Sequence, residues 1–168
     1  MTYTAESTMK IFICSNPKTV VETTAQFNTL SIDEQLALLW YIYTKIRIRR
    51  SVTPTTPGAA RLQLAEGLLN EIKYMFHEEQ LGVIRDLAAS KNNPISRAYG
   101  ILTPNTKLAF WYQLTESIEE GDIVPMPTFH QLSVSGSQVL TSIEVLDFGQ
   151  QITVLRNVVA NMGVDPLA

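Results

Sequence analysis

The chain has few charged residues, two histidines and a single cysteine among its 168 residues. Charged residues make up 17% of it and the formal net charge is -3, whereas soluble domains typically carry about 25% charged residues. Without a basic excess, the sequence lacks the electrostatic footprint of a nucleic-acid-binding protein. The one cysteine, Cys14, excludes an intramolecular disulfide framework and fits a reducing compartment. A disulfide between two copies stays open, and we expect a monomer or a weak homodimer.

Long apolar runs are also missing. No stretch of about 20 apolar residues is present that would span a bilayer. The N-terminus lacks the basic start and the long apolar region of a secretory signal. We therefore expect a soluble cytoplasmic protein that is not integral to a membrane.

The residue patterns of common catalytic sites are absent as well. His77 and His130 lie in unrelated segments, and the segment after His77 lacks the second histidine that a helical zinc motif places four residues further on. The sequence contains neither a glycine-rich phosphate loop nor a nucleophile elbow. The neighbouring acids at 78–79 and 119–120 diverge on a helix and do not form an acid and base pair. We expect no metal site and no enzymatic activity.

The strongest helical signal begins at Ser31. Ser31 and Glu34 have the spacing of a capping box, in which each side chain satisfies an open amide of the other residue. A helix is therefore predicted to begin near Ile32 and to run to Ile46. It ends in a basic run, where cations are favourable beside the last carbonyls: Lys45, Arg47, Arg49 and Arg50.

One face of this helix carries aromatic side chains. Apolar residues recur there at i, i+3, i+4 and i+7, at Leu36, Leu39, Trp40 and Tyr43. Gln35 and Lys45 are expected to point elsewhere. A second cluster, Phe110-Trp111-Tyr112, lies in another predicted helix. Two such clusters could face each other across a slot for a flat ligand, but aromatics on a helix stripe are also ordinary core residues, and spacing leaves both interpretations open.

Further helices are predicted from apolar spacing, caps and breakers. They are Thr19–Leu30, Ala59–Met75, Glu78–Ala89, Pro94–Leu102, Asn105–Glu119, Gln138–Leu146 and Gly149–Met162. Asp147 is a candidate cap of the last helix, and Gly121 and Gly163 are candidate stops. The stretch 119–137 lacks a clear period and is expected to cross between two halves of the molecule. No strand pattern is evident.

Five separated segments carry a resemblance. They read DEQLALLWYIY, TPGAARLQLAE, PNTKLAFWY, the Pro125-Met126-Pro127 loop and GQQITVLRN. In order and with nearly constant spacing, they resemble the N-terminal domain of the cyanobacterial orange carotenoid protein, over Val20 to Val164. The resemblance implies an all-α fold of two interleaved, discontinuous four-helix bundles with a carotenoid slot between them. It also implies an N-terminal arm (1–18), a helical carotenoid-binding domain (19–164) and a C-terminal tail (165–168), without a C-terminal regulatory domain.

The same resemblance implies a function in photoprotection. The chain is expected to bind a ketocarotenoid such as canthaxanthin non-covalently and to act chiefly as a quencher of singlet oxygen. Direct quenching of phycobilisome excitation is a second activity of this class, with association at the phycobilisome or thylakoid. The alternative is a carrier or scaffold that exchanges pigment with a homologue of the C-terminal domain.

Site residues follow by matching positions to the family. The residues implied to bind the carotenoid are Leu36, Leu39, Trp40, Tyr43, Ile84, Leu108, Trp111, Tyr112, Ile118 and Met126. Trp40, Tyr43 and Trp111 are implied to enclose a terminal ring and to line the polyene. Ile84, Ile118 and Met126 stand where the family commonly has Met, Met and Ile, which keeps bulk and changes local polarizability. Arg156 matches an arginine that binds partners in the family; an ordinary surface cation is the other interpretation.

Overall fold

The computed structural model of the protein describes residues 17–50, 61–127 and 132–168. Within these ranges the chain forms eight helices and no strand. They are α1 (Pro17–Asn28), α2 (Ile32–Arg50), α3 (Leu62–Lys73), α4 (His77–Ala88), α5 (Pro94–Gly100), α6 (Pro104–Glu119), α7 (Val134–Glu144) and α8 (Phe148–Ala160). Cys14 with most of the predicted arm, the loop at 51–58 and His130 lie outside the described residues, as do the side chains at 46–50.

The helices pack as two bundles. One bundle consists of α1, α2, α7 and α8, so it combines the two ends of the chain, and the other consists of α3, α4, α5 and α6 from the middle. At the boundary between them, α2 packs against α4 and α6, and α8 packs against α6. The predicted all-α fold of two interleaved, discontinuous bundles is confirmed.

Local cap signals fix several helix starts. The Asp147 carboxylate accepts the Gln150 amide at 2.8 Å and the Gln150 side chain accepts the Asp147 amide at 3.1 Å, which forms a complete capping box at α8. Asn93 and Thr103 cap α5 and α6 with their side chains, in each case followed by a proline at the first helical position. These starts agree with the sequence prediction because each depends on neighbours in the chain.

The periodic stretch predicted to Ile46 underestimates α2, which continues to Arg50 and so ends in the predicted basic run. The predicted start of α7 was wrong. Helix α7 begins at Val134, four residues before the predicted Gln138, because the Ser133 hydroxyl accepts the Gly136 amide at 3.1 Å and caps the helix there. The connection between Glu119 and Val134 is therefore shorter than the predicted 119–137.

The start of α2 is joined to the start of α7 through Glu34. The Glu34 amide donates to the Ser31 hydroxyl oxygen at 3.3 Å, and the Ser31 hydroxyl donates to the Glu34 carboxylate at 3.0 Å. The second carboxylate oxygen accepts the backbone amide of Ser133 at 2.7 Å. The hydrogen bonds from Ser133, followed by those from Ser31, lower the pKa of Glu34 below its ordinary value. One carboxylate thus serves the first turns of two helices.

The prediction that Gln35 points away from the buried face was wrong. Its side chain is buried, and its amide donates to the carbonyl of Leu30 at 3.0 Å and to that of Asn28 at 3.5 Å. Asn28 is the last residue of α1 and Leu30 lies in the turn that follows, so Gln35 donates to backbone carbonyls at and beyond the helix end. The next residues, 36–39, are all 0–1% exposed. Helix α2 is therefore enclosed on several sides, and a single apolar stripe underestimates its burial.

None of the helices in the described ranges is long and apolar enough to cross a bilayer. Across the same ranges, no group of three or more His, Cys, Asp or Glu side chains is arranged to hold a metal ion.

Candidate functional site

The ten predicted pigment residues lie on the helices that form the bundle boundary or directly after them. Helix α2 carries Leu36, Leu39, Trp40 and Tyr43, α4 carries Ile84, α6 carries Leu108, Trp111, Tyr112 and Ile118, and Met126 follows α6. All belong to, or pack against, one continuous apolar core. Eight are buried, and Trp40 and Tyr112 are partly buried. The fold thus gathers residues that are 90 positions apart in sequence, from 36 to 126.

A hydrogen bond crosses the boundary at Tyr43. This side chain is 2% exposed, and its hydroxyl donates to the Leu108 carbonyl at 3.0 Å. Burial raises the pKa of Tyr43 well above its ordinary value, with a further contribution from nearby Tyr99, so the hydroxyl stays protonated as a donor. The bond therefore joins the aromatic stripe of α2 to the helix that bears the second aromatic cluster.

Trp111 is held by a partner that the sequence did not indicate. Its indole N–H donates to the Tyr99 hydroxyl at 2.9 Å, and that hydroxyl donates to the Val159 carbonyl at 2.6 Å. Phe110 meets the rings of Trp111 and Tyr99 edge-on, with centroid distances of 5.8 and 5.4 Å. A buried indole N–H predicts some acceptor, but nothing local to α6 identifies Tyr99 on α5.

Gln80 holds the segment that leads to Met126. Its side chain is 0% exposed, accepts the Val124 amide at 3.0 Å and donates to the Ile72 carbonyl at 3.3 Å. The chain after α6 is thereby attached to the start of α4 and the end of α3. Met126, two residues further on, is 6% exposed in the core. Gln80 was not predicted as a site residue because its partners are distant backbone groups.

A cavity lies away from these residues. It has a volume of about 540 Å³ and lies in the first bundle between α2, α7 and the start of α8. Its walls include Ile42, Ile143 and Phe148 and the polar residues Lys45, Glu144 and Asp147. None of the ten predicted pigment residues lines it. The candidate site is accordingly defined by the packed boundary residues and not by this cavity.

The family model described as "Orange carotenoid protein, N-terminal" matches residues 14–165. The chain belongs to this family. An "orange carotenoid-binding domain-containing protein" of Nostoc sp. strain PCC 7120 is 58% identical over 172 residues, which cover 100% of this chain and 99% of that protein. The orange carotenoid-binding protein of Synechocystis sp. strain PCC 6803 is 42% identical over 164 residues, which cover 97% of this chain and 51% of that protein.

Solved structures of family members share the fold. The orange carotenoid protein of Anabaena (Nostoc) sp. PCC 7120 binding canthaxanthin has a TM-score of 0.79 and 43% identity, covering 98% of this chain and 53% of that one. The red carotenoid protein of the same organism binding canthaxanthin has a TM-score of 0.74 and 39% identity, covering 86% of this chain and 98% of that one. The chain thus spans about half of the longer family members and nearly all of the shorter ones. The resemblance seen in the sequence is confirmed.

Arg156, the residue matched to a partner-binding arginine of the orange carotenoid protein family, lies at the bundle boundary on α8. It is partly buried, and its guanidinium Nε donates to the Asn105 side-chain oxygen at 3.0 Å. Asn105 lies in the first turn of α6, so the pair connects the two bundles. Arg156 is therefore more constrained than a freely solvated surface cation.

Proposed function

We propose that the protein binds one ketocarotenoid such as canthaxanthin, without a covalent bond, at the boundary between its two helical bundles. Membership of the orange carotenoid protein N-terminal family supports this proposal, as do the two family structures described as binding canthaxanthin. The single observation that carries it is the hydrogen bond from Tyr43 to Leu108. That bond brings the two aromatic helices together at the residues matched to the pigment site.

The physical basis of binding is burial of an apolar, flat molecule. A polyene forms few hydrogen bonds, so removing it from water stabilises the complex by about 25 cal/mol per Å² of buried apolar surface. Trp and Tyr rings provide flat, polarizable walls for its π system. Because the boundary residues pack closely on one another, the pigment takes the place of part of the contacts between α2 and α6.

The proposed role of the complex is photoprotection. Singlet oxygen is deactivated by energy transfer to the polyene, and this step requires no covalent chemistry on the protein. The contribution of the chain is to hold the pigment in one conformation in an apolar environment. We further propose that the same pigment accepts excitation from a phycobilisome, which requires the protein to dock on the phycobilisome.

Pigment binding is tested by expressing the protein in a host that makes canthaxanthin and recording its visible absorption. We expect a red-broadened polyene band for the wild type and strong loss of bound pigment in a double Trp40→Ala and Trp111→Ala variant. The matched control is a double Tyr74→Ala and Phe76→Ala variant, since these aromatics are 91% and 79% exposed and lie outside the core. Far-UV circular dichroism verifies folding of each variant. Undiminished pigment in the tryptophan variant would contradict the proposed site.

The photoprotective activity is tested by the lifetime of singlet oxygen phosphorescence in the presence of pigmented and pigment-free protein. We expect a shorter lifetime with the pigmented protein only. Equal lifetimes would contradict the singlet-oxygen role. Phycobilisome fluorescence, measured before and after addition of pigmented protein, tests the second quenching activity in the same way.

Pigment exchange with a homologue of the family's C-terminal domain is a second candidate function. The observation that favours it is the Arg156 and Asn105 pair, which presents a cation in a fixed position at the bundle boundary. Mixing pigmented protein with such a homologue should transfer colour or produce a larger complex in size-exclusion chromatography. An Arg156→Gln variant should exchange more slowly. Absence of both transfer and complex would contradict the carrier function.

A further inference from the structure

A buried polar chain connects α6, α5 and α8 beside the candidate site. It runs from the Trp111 indole N–H to the Tyr99 hydroxyl and from there to the Val159 carbonyl, over distances of 2.9 and 2.6 Å. Tyr99 and Trp111 are 0% and 1% exposed. Water therefore does not compete for these groups.

The direction of each hydrogen bond is fixed by chemistry. An indole has one N–H and no acceptor, so Trp111 can only donate. The Tyr99 hydroxyl gives its single proton to Val159, which leaves its oxygen lone pairs to accept the indole. Turning the Trp111 ring over by half a turn would move its N–H away from Tyr99 and leave it buried without a partner, which proteins rarely tolerate.

Tyr99 is itself held from two sides. The Lys107 ammonium lies 5.0 Å from the centre of the Tyr99 ring and donates to the Ala160 carbonyl at 2.9 Å. On another side, a Cβ atom placed on Gly163 would lie 2.5 Å from the Tyr99 Cδ1. The ring of Tyr99 therefore has little room to move, and the acceptor that it offers to Trp111 stays in place.

We propose that Tyr99 is a positioning residue for carotenoid binding. By accepting the Trp111 N–H it selects one of the two orientations of the indole, and through Val159 it couples that orientation to the position of α8. The inference rests on the proposed function, because it concerns the ring surface that Trp111 presents to the pigment. Tyr99 itself acts through Trp111.

The chain is suited to a direct test because it contains only two tryptophans. Its proton–nitrogen NMR spectrum should show two indole N–H signals, which a Trp40→Phe variant assigns. In pigment-free wild-type protein we expect the Trp111 signal to exchange slowly with deuterated water. In a Tyr99→Phe variant the signal should shift and exchange faster. The matched control is Asp147→Ala, which removes the capping box at the opposite end of α8 and leaves the indole hydrogen bond intact.

The consequence for the pigment is measured on protein from the canthaxanthin-producing host. We expect Tyr99→Phe to shift or broaden the visible band and to lower pigment affinity about tenfold, as for loss of one buried hydrogen bond. Asp147→Ala should keep the wild-type band even where it lowers the unfolding temperature to a similar extent. This comparison separates positioning from general destabilisation.

Each outcome decides a different point. Rapid exchange of the Trp111 indole proton in the wild type would overturn the inference without any variant. A changed indole signal in Tyr99→Phe with a wild-type visible band and affinity would overturn the positioning role and leave the proposed function standing. Wild-type protein that takes up no pigment would overturn both.

Discussion

Replacement of Gly163 by alanine should destabilise the fold strongly. Gly163 follows α8 with φ of +79°, a left-handed conformation that residues with a Cβ adopt at a cost of roughly 1–2 kcal/mol. Its amide donates to the Leu87 carbonyl at 3.0 Å, which holds the turn against the end of α4. The backbone cannot relax to a negative φ without loss of this bond.

A steric contribution adds to the conformational one. The new Cβ would lie 2.5 Å from the Tyr99 Cδ1 and 3.0 Å from the Ser96 carbonyl oxygen. Displacing a buried ring in a packed core typically costs about 1–3 kcal/mol. The sum is about 2–5 kcal/mol, which corresponds to a decrease in unfolding temperature of about 4–20 °C for a chain of this size.

The assay is thermal unfolding of Gly163→Ala followed by far-UV circular dichroism, with Gly82→Ala as the control. Gly82 lies inside α4, and a Cβ there would meet nothing within 4 Å. Because alanine is the better helix former, the control should be stabilised by about 0.5–1 kcal/mol. A Gly163→Ala protein that unfolds at the wild-type temperature would refute the reasoning, since both the strain and the contact would then be absent in solution.

Other predictions concern caps and ionisation. The hydrogen bonds from Ser133 lower the pKa of Glu34 from its ordinary value of 4.5, so the ionised side chain stabilises the fold above pH 4.5 and this stabilisation is lost as the pH falls. In urea unfolding, the difference in stability between wild type and Glu34→Gln should shrink towards zero in acid. A difference in stability that does not change with pH would contradict this prediction. Asp147→Ala should cost about 1 kcal/mol in urea unfolding because the capping box of α8 is lost; an unchanged midpoint would argue against that cap. Burial raises the pKa of Tyr43 and of Tyr99, so their stabilising effect holds below the ordinary value of 10.0 and is lost as the pH rises. In an alkaline pH jump followed by phenolate absorbance, these two should ionise slowly, together with loss of helical signal; immediate ionisation of all six tyrosines would disagree.

The sequence predicted best what depends on adjacent residues. The start of α2 at Ile32, the proline-led start of α6 and the cap at Asp147 were all correct, because a cap and the amide it binds lie within three positions of each other. Gly121 and Gly163, which both have a positive φ, were correctly predicted as stops. The pairing of the bundles followed from the family resemblance and not from periodicity.

The sequence predicted poorly what depends on partners outside a residue's own helix. Gln35 was placed on the wrong face because its side chain bonds the carbonyls at the end of α1 and in the turn after it. Tyr99 and Gln80 gave no local signal, since Tyr99 accepts from Trp111 on another helix and Gln80 accepts from the Val124 amide, 44 residues further on. The predicted capping box at Ser31 and Glu34 was correct in one half only. The Glu34 amide donates to the Ser31 hydroxyl oxygen, but the Glu34 carboxylate accepts the Ser31 hydroxyl and the amide of Ser133, 99 residues away.

The division into bundles also determines the order in which the helices can pack during synthesis on the ribosome. Helix α1 packs on α7 and α8, so its apolar face at Val20 and Phe27 cannot be buried until the last third of the chain has been synthesised. At about 5–20 residues per second, the interval between the emergence of Asn28 and Val134 is about 5–20 s. Helices α3 to α6 emerge within this interval and already contain their own packing partners. We therefore expect the nascent chain to pass through a stage in which α3 to α6 can pack on one another while α1 still lacks its packing partners.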